Sequence, residues 1–266
     1  MKTSTLVLLG CSFLLLNSCE LIDPILNPVK DECILLNTSM SIPNDPAHEE
    51  TEFTYNSAGQ LIEVVKESYD MKPDPYVARW TMTYNNDTLH QISSYSKFYS
   101  DPEEKLGEYL FIYNGNLPDT IQYNPANTNS NPVFTVTEYS ANKLIKLTDF
   151  LLSPQDSKYK LYATRVIDWT GDNISKITTN HNGGSSSTLE YEYDDKKAPL
   201  GNFGLAFTSF GSLAMLSQNN VTKLTYTTNT TSHITETSYN YNSTDYPTQS
   251  APVKDGYPTN YEYDCK

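Results

Sequence analysis

Tyr55-Asn-Ser-Ala-Gly-Gln-Leu61 carries the spelling that decides the fold: an aromatic residue, a polar turn containing glycine, then an aliphatic residue. A second aliphatic follows three residues on, at Val64. The same grammar returns as Tyr84-Asn-Asn-Asp-Thr-Leu89 with Ile92, Tyr113-Asn-Gly-Asn-Leu117, Tyr139-Ser-Ala-Asn-Lys-Leu144, and Trp169-Thr-Gly-Asp-Asn-Ile174 with Ile177. Worn copies lie near Tyr193, Asn219–Leu224 and Tyr241. The aromatic starts at 55, 84, 113, 139, 169 and 193 are spaced by 24 to 30 residues. Self-similarity at such a period signals one supersecondary unit stacked many times.

Each unit reads as a β-hairpin. Trp80, Met82 and Tyr84 alternate with Arg79, Thr81 and Thr83, and Tyr191 and Tyr193 alternate with Glu190, Glu192 and Asp194. Tyr239/Tyr241 and Tyr261/Tyr263 repeat the pattern. Period-2 alternation of Tyr, Thr and β-branched residues marks half-buried strands, and Asn, Gly, Asp and Ser suit the turns between them. The Leu-x-x-Ile spacing of the second strands does not alternate cleanly. Either a bulge or burial of both faces accommodates it. Gly204–Leu216, with Leu205, Phe207, Phe210, Leu213 and Leu216 at mixed spacing, reads as a short helix or plug against one mouth of the sheet. The expected fold is all-β: an antiparallel up-and-down meander of hairpins, a dozen or more strands, curled into a barrel or half-barrel with one plug.

The N-terminus carries Lys2 and an apolar run, Leu6–Leu16, too short to span a bilayer core of ~30 Å as a helix. Leu16-Asn17-Ser18-Cys19 resembles the lipobox of bacterial lipoproteins, which implies cleavage after Ser18 and lipidation of Cys19. The expected organisation is therefore a signal peptide over 1–18, a tether over 19–32 containing Pro24 and Pro28, and a single barrel-like domain over 33–266. More than one acyl chain anchors stably, so the expected membrane contact is through lipid. Removing residues 1–18 takes away Lys2 and no acid, moving the formal charge from −14 to −15. A chain this acidic, without Lys/Arg clusters, excludes nucleic acid as a partner class.

With Cys19 assigned to lipid, Cys33 and Cys265 remain as a candidate disulfide in an oxidising compartment. Such a bond needs the first strand, Cys33–Met40, beside the last, Asn260–Cys265. Two separate thiols are the alternative.

The hairpin units are similar to tyrosine–aspartate (YD) repeats. Together with the lipobox, Tyr191-Glu-Tyr-Asp-Asp-Lys-Lys-Ala-Pro-Leu200 and Tyr261-Glu-Tyr-Asp-Cys265, they give the chain from Cys33 onward a resemblance to a family of Bacteroidetes lipoproteins with an uncharacterised domain of porin-like fold. Only Tyr193-Asp194 and Tyr263-Asp264 among these units keep Asp directly after Tyr. The resemblance implies a barrel-like antiparallel sheet and no established activity. The alternation is also that of a transmembrane barrel, but the lipobox, the low hydropathy and faces built of Tyr, Thr and Met favour a water-facing barrel on a lipid leash.

His48, His90, His181 and His233 lack metal-ligand spacing, and Asp194-Asp195 and Asp101/Glu103/Glu104 read as acidic turns. No Gly-x-Ser-x-Gly, His-Glu-x-x-His or phosphate loop is present; no cofactor and no metal is expected. A glycosidase needs only two suitably separated carboxylates, yet no pair stands out among 32 acids. The 21 tyrosines offer either stacking platforms for sugar rings or core filling with hydroxyls reaching water. Thr88 and Thr120, in Asp87-Thr88-Leu89 and Asp119-Thr120-Ile121, resemble Bacteroidetes O-glycosylation sites placed at hairpin turns. The functional expectation is a cell-envelope lipoprotein on the outer membrane, at its periplasmic face or the cell surface. It acts as a non-catalytic binding or assembly module for glycans or an envelope protein. A carboxylate-dependent glycan hydrolase and a purely structural component are the alternatives.

Overall fold

The computed structural model describes residues 33–41, 47–69, 75–85, 87–127, 130–199, 212–254 and 256–265. The expected signal peptide, the tether and Cys19 lie outside these residues, as does the 204–211 part of the expected plug. The chain forms β1 (Cys33–Ser41), β2 (His48–Tyr55), β3 (Leu61–Tyr69), β4 (Tyr76–Asn85), β5 (Thr88–Phe98), β6 (Glu104–Asn114), β7 (Leu117–Pro125) and β8 (Val133–Ser140). It continues through β9 (Lys143–Ser153), β10 (Lys158–Thr170), β11 (Asn173–His181), β12 (Ser186–Lys197), β13 (Asn219–Thr228), β14 (Ser232–Tyr241), β15 (Pro247–Pro252) and β16 (Thr259–Cys265). Every strand pairs antiparallel with its sequence neighbours, and β16 returns to β1, so the sheet is a closed barrel rather than a half-barrel.

The irregular Leu-x-x-Ile spacing resolves into a bulge. In β2–β3, Thr54 pairs with Glu63 but Tyr55 pairs with Leu61, leaving Ile62 as an extra residue. His90, Asp119, Ile145, Ser175, Thr222 and Thr248 are the extra residues in the next six hairpins. One unpaired residue shifts the pleat by one, so positions i and i+3 come to share a face. Leu61/Val64, Leu89/Ile92, Leu144/Leu147 and Ile174/Ile177 are all buried together inside the barrel. In the third hairpin the residue opposite Tyr113 is the buried Pro118 rather than Leu117, and Ile121 follows it inside.

A bulge interrupts the backbone ladder, and the aromatic of the next unit supplies the missing donor. The Tyr55 hydroxyl donates to the Leu35 carbonyl at 2.8 Å, Tyr84 to Leu61 at 2.8 Å, and Tyr113 to Leu89 at 2.6 Å. Trp169 Nε1 donates to Leu144 at 2.8 Å, Tyr193 to Ile174 at 2.7 Å, and Tyr239 to Val221 at 2.9 Å. A half-buried carbonyl needs a donor, and a ring with a polar tip fills core space while providing one. These hydroxyls therefore reach backbone rather than water, which explains why the repeat spells Tyr and not Phe.

The chain ends complete the pattern. Leu35 pairs with Tyr263 and Asn37 with Glu262, leaving Leu36 as an eighth extra residue. The β16–β1 pair is thus an eighth hairpin in which the Cys33–Cys265 disulfide stands where the others have a turn. In the true turns, Asp87, Ala141, Asn142 and Asp245 adopt positive φ, tolerable for Asn and Asp and strained for Ala141.

Burial pushes the hydroxyls of Tyr84, Tyr109 and Tyr193 up to about 12, and Tyr55 and Tyr113 up as well. A tyrosine whose folded pKa exceeds its unfolded value near 10 contributes stability that is fully present below pH ~10 and lost as pH rises toward the folded value. Chemical denaturation at pH 9 and pH 11.5 is expected to show a lower midpoint at the higher pH. Tyrosinate absorbance beyond that of the exposed tyrosines should rise in step with unfolding rather than before it.

At the turn end the interior is solid. Ile92, Leu144 and Ile174 are each 0% exposed, and full burial of such side chains is worth about 1.5–3 kcal/mol apiece. Over them sits a 3-10 turn, Leu213–Leu216, capped by Ser212. Leu213 and Leu216 join the core, while buried Ser217 Oγ accepts from the Ile174 N–H at 3.0 Å and bonds the Tyr193 hydroxyl at 2.9 Å. This is the described part of the expected plug, and it packs onto the core at that end.

Candidate ligand-binding cup

Beyond that packed half, the inward rows change character. Ile121 and Leu147 mark the top of the core, and the next inward residues are Tyr109, Tyr123, Val133, Thr135, Asp149, Leu151 and Arg165. Together with Tyr162 they line a cavity of ≈ 430 Å³, within the size range of small-molecule sites. The cup is mostly apolar, with one polar spot on its wall.

That spot is built across three neighbouring strands. Thr135 and Asp149 are directly paired on β8 and β9, and the Thr135 hydroxyl donates to Asp149 Oδ1 at 2.8 Å. Arg165 on β10 donates through Nη2 to the same oxygen at 2.9 Å. Asp149 is only 8% exposed, so its charge requires this pairing. Arg165 Nε is buried without a hydrogen-bond partner. Asp149 is the carboxylate among the described lining residues, and it is already neutralised. The two unpaired carboxylates that glycoside hydrolysis needs are not assembled here.

Tyr123, on the neighbouring strand β7, forms the side of the cup next to Val133 and Thr135. Its ring packs against Tyr109 at a centroid distance of 4.6 Å and lies over Gly107 on β6. A Cβ at position 107 would stand 2.7 Å from the Tyr123 ring and 2.7 Å from the Asn124 carbonyl. The glycine therefore lets the ring fold flat against the wall, leaving the cup open.

The barrel is similar in structure to a porin-like protein from Bacteroides uniformis, with a TM-score of 0.57 at 14% identity, covering 86% of this chain and 96% of that one. The likeness is one of fold. A porin-like protein from Bacteroides vulgatus overlays with a TM-score of 0.39 at 11% identity, covering 87% of this chain and 98% of that one. No known family and no curated protein matches the chain.

The remaining residues singled out by sequence fall elsewhere. Thr88 opens β5 beside a turn, whereas Thr120 lies inside β7, next to the bulge residue Asp119, and is buried. The Asp119-Thr120 motif is thus strand, not turn. Asp194 accepts from the backbone N–H groups of Lys196 and Asn220, at 2.9 and 3.2 Å, and from the Tyr241 hydroxyl. In this unit the Asp of Tyr-Asp fastens the long insertion that carries the plug. Glu103 is paired with Arg79. His48 stacks on Tyr69 at 4.2 Å, His181 meets the Tyr162 ring edge-on, and His90 and His233 are exposed. Among the described residues no three His, Cys, Asp or Glu side chains converge as metal ligands. Sequence reading missed the cup because its residues come from five strands and share no local motif. The Gly107-Glu-Tyr109 break in the strand spelling was the available signal.

Proposed function

We propose that the protein is a cell-envelope lipoprotein acting as a non-catalytic binding module, holding a small ligand in the cup of its barrel. The observation that carries this reading is an open, mostly apolar cavity with one buried ion pair, set above the buried aliphatic core of the described residues. A barrel filled by such a core is suited to retention rather than passage. The outer wall supports a water-facing position: charged pairs Arg79–Glu63, Lys146–Glu138, Lys176–Glu190 and Lys223–Glu192 stand on it in rows alternating with the core. A lipid-facing barrel wall carries an apolar band there instead. Anchoring through Cys19 belongs to this proposal, as does glycan addition at Thr88.

Tyr109 and Tyr123 provide ring faces for a sugar, which keeps glycans among the ligands to be tested. The test is a thermal-shift screen of glycans and small amphiphiles against the protein and its Leu151→Trp variant, in which the indole fills the cup. A ligand that raises Tm in the parent and not in the variant is the expected result. Equal shifts in both place binding outside the barrel. A second reading, docking of an envelope protein, is favoured by exposed Ile112, Tyr159, Leu161 and Val166 on the outer face of β6 and β10. Leu161→Glu would disturb that face and leave the cup intact.

A further inference from the structure

We infer that the cup takes an amphipathic carboxylic acid, with its apolar body against Ile121, Val133 and Leu151 and its carboxylate on Arg165. This deepens the binding reading above and rests on it. The donor and acceptor inventory of the wall decides the sign of the ligand head. A guanidinium offers five N–H donors in a planar fork. Asp149 engages it through Oδ1, and that oxygen is shared with the Thr135 hydroxyl. Nε is left without an acceptor inside the barrel wall, a condition that costs free energy until an oxygen is supplied. Within the pair Arg165 uses one of its five N–H donors and Asp149 two of its roughly four acceptor positions, both on Oδ1, so donors are in excess. A ligand bearing acceptor oxygens meets that excess; a ligand bearing an ammonium group adds to it.

The surroundings favour one such head on an otherwise apolar molecule. Thr135, Asp149 and Arg165 lie side by side across β8, β9 and β10, while the aliphatic lining and the Tyr109–Tyr123 pair occupy the rest. A neutral polyhydroxylated ring would leave most of its hydroxyls facing Ile, Val and Leu, where they lose water without gaining partners. A chain or ring with a single carboxylate loses little, because its apolar part gains burial and its charge meets an Arg whose bidentate geometry matches it.

The experiment is calorimetric titration of the protein with decanoate, decanol and decylamine below their micelle or aggregate concentrations. Decanoate is expected to bind at least ten times more tightly than decanol, with decylamine weaker than both. Arg165→Met is expected to abolish the preference for decanoate. Since that change strands Asp149, the Asp149→Asn/Arg165→Met pair removes both charges together and should lose the preference while still binding decanol. Decanol binding as tightly as decanoate, or a preference surviving in the double variant, overturns the acid assignment and leaves the cup standing. Binding of none of the three probes, or binding unaffected by Leu151→Trp, removes the cup reading and this inference with it.

Discussion

Deleting Ile145 is expected to abolish cooperative folding, while Ile145→Ala changes stability by less than about 1 kcal/mol. Ile145 is the unpaired residue of the β8–β9 hairpin, between Leu144 opposite Tyr139 and Lys146 opposite Glu138. Its side chain is only half-buried, so truncation removes little contact. Removing the residue itself restores strict alternation and forces Leu144 or Leu147, 0% and 1% exposed, to the outer face. Losing one such side chain from a core costs about 2–5 kcal/mol. It also carries away the Leu144 carbonyl that accepts from Trp169, leaving the indole donor of the next unit unpaired. A domain of ordinary stability, about 5–15 kcal/mol, has little margin for both losses. Denaturant titrations of the two variants side by side separate backbone register from side-chain burial. Equal effects of deletion and substitution would refute the bulge account.

Replacing both Cys33 and Cys265 by Ala is expected to lower stability by up to about 5 kcal/mol, the upper end for a bond closing a very long loop in the chain-entropy model. The bridge spans 232 residues. Topology amplifies its role, because β16 pairs with β15 through only Gln249–Asn260 and Ser250–Thr259. The last strand therefore depends on β1 to stay in the sheet, and β1 depends on the disulfide for what a short turn provides in the other hairpins. The same shift should appear in the parent protein under strong reductant. A change below about 1 kcal/mol in both experiments would mean that the β1–β16 pairing closes the barrel unaided.

The aromatic–turn–aliphatic spelling made the hairpins legible, since alternation and turn chemistry are local. The Cys33–Cys265 pair was legible only as the two cysteines left once Cys19 is assigned to lipid, with two separate thiols as the alternative. What the spelling left open was the treatment of Leu-x-x-Ile, because a bulge is a choice made between two strands and either spelling alone permits both outcomes. The acceptors of the Tyr55, Tyr84 and Tyr113 hydroxyls are illegible for the same reason: they lie about one repeat upstream, on carbonyls that only the bulge frees. The unit Tyr113-Asn-Gly-Asn-Leu117 ends its spelling on Leu117, yet Pro118 stands opposite Tyr113, a one-residue shift that turn composition does not reveal. The cup was not legible at all. Gly107, Tyr123, Asp149 and Arg165 are distant in sequence, and their meeting depends on the order in which hairpins zip around the barrel.

The central proposal is a blind barrel, its aliphatic core closing the space beneath a cup that takes a small molecule. A crystal structure of the protein soaked in decanoate tests it most directly. The account predicts ligand density between Tyr123 and Arg165, with Ile92, Leu144 and Leu216 packed beneath it. A continuous solvent passage running past those three residues to the turn end would contradict it.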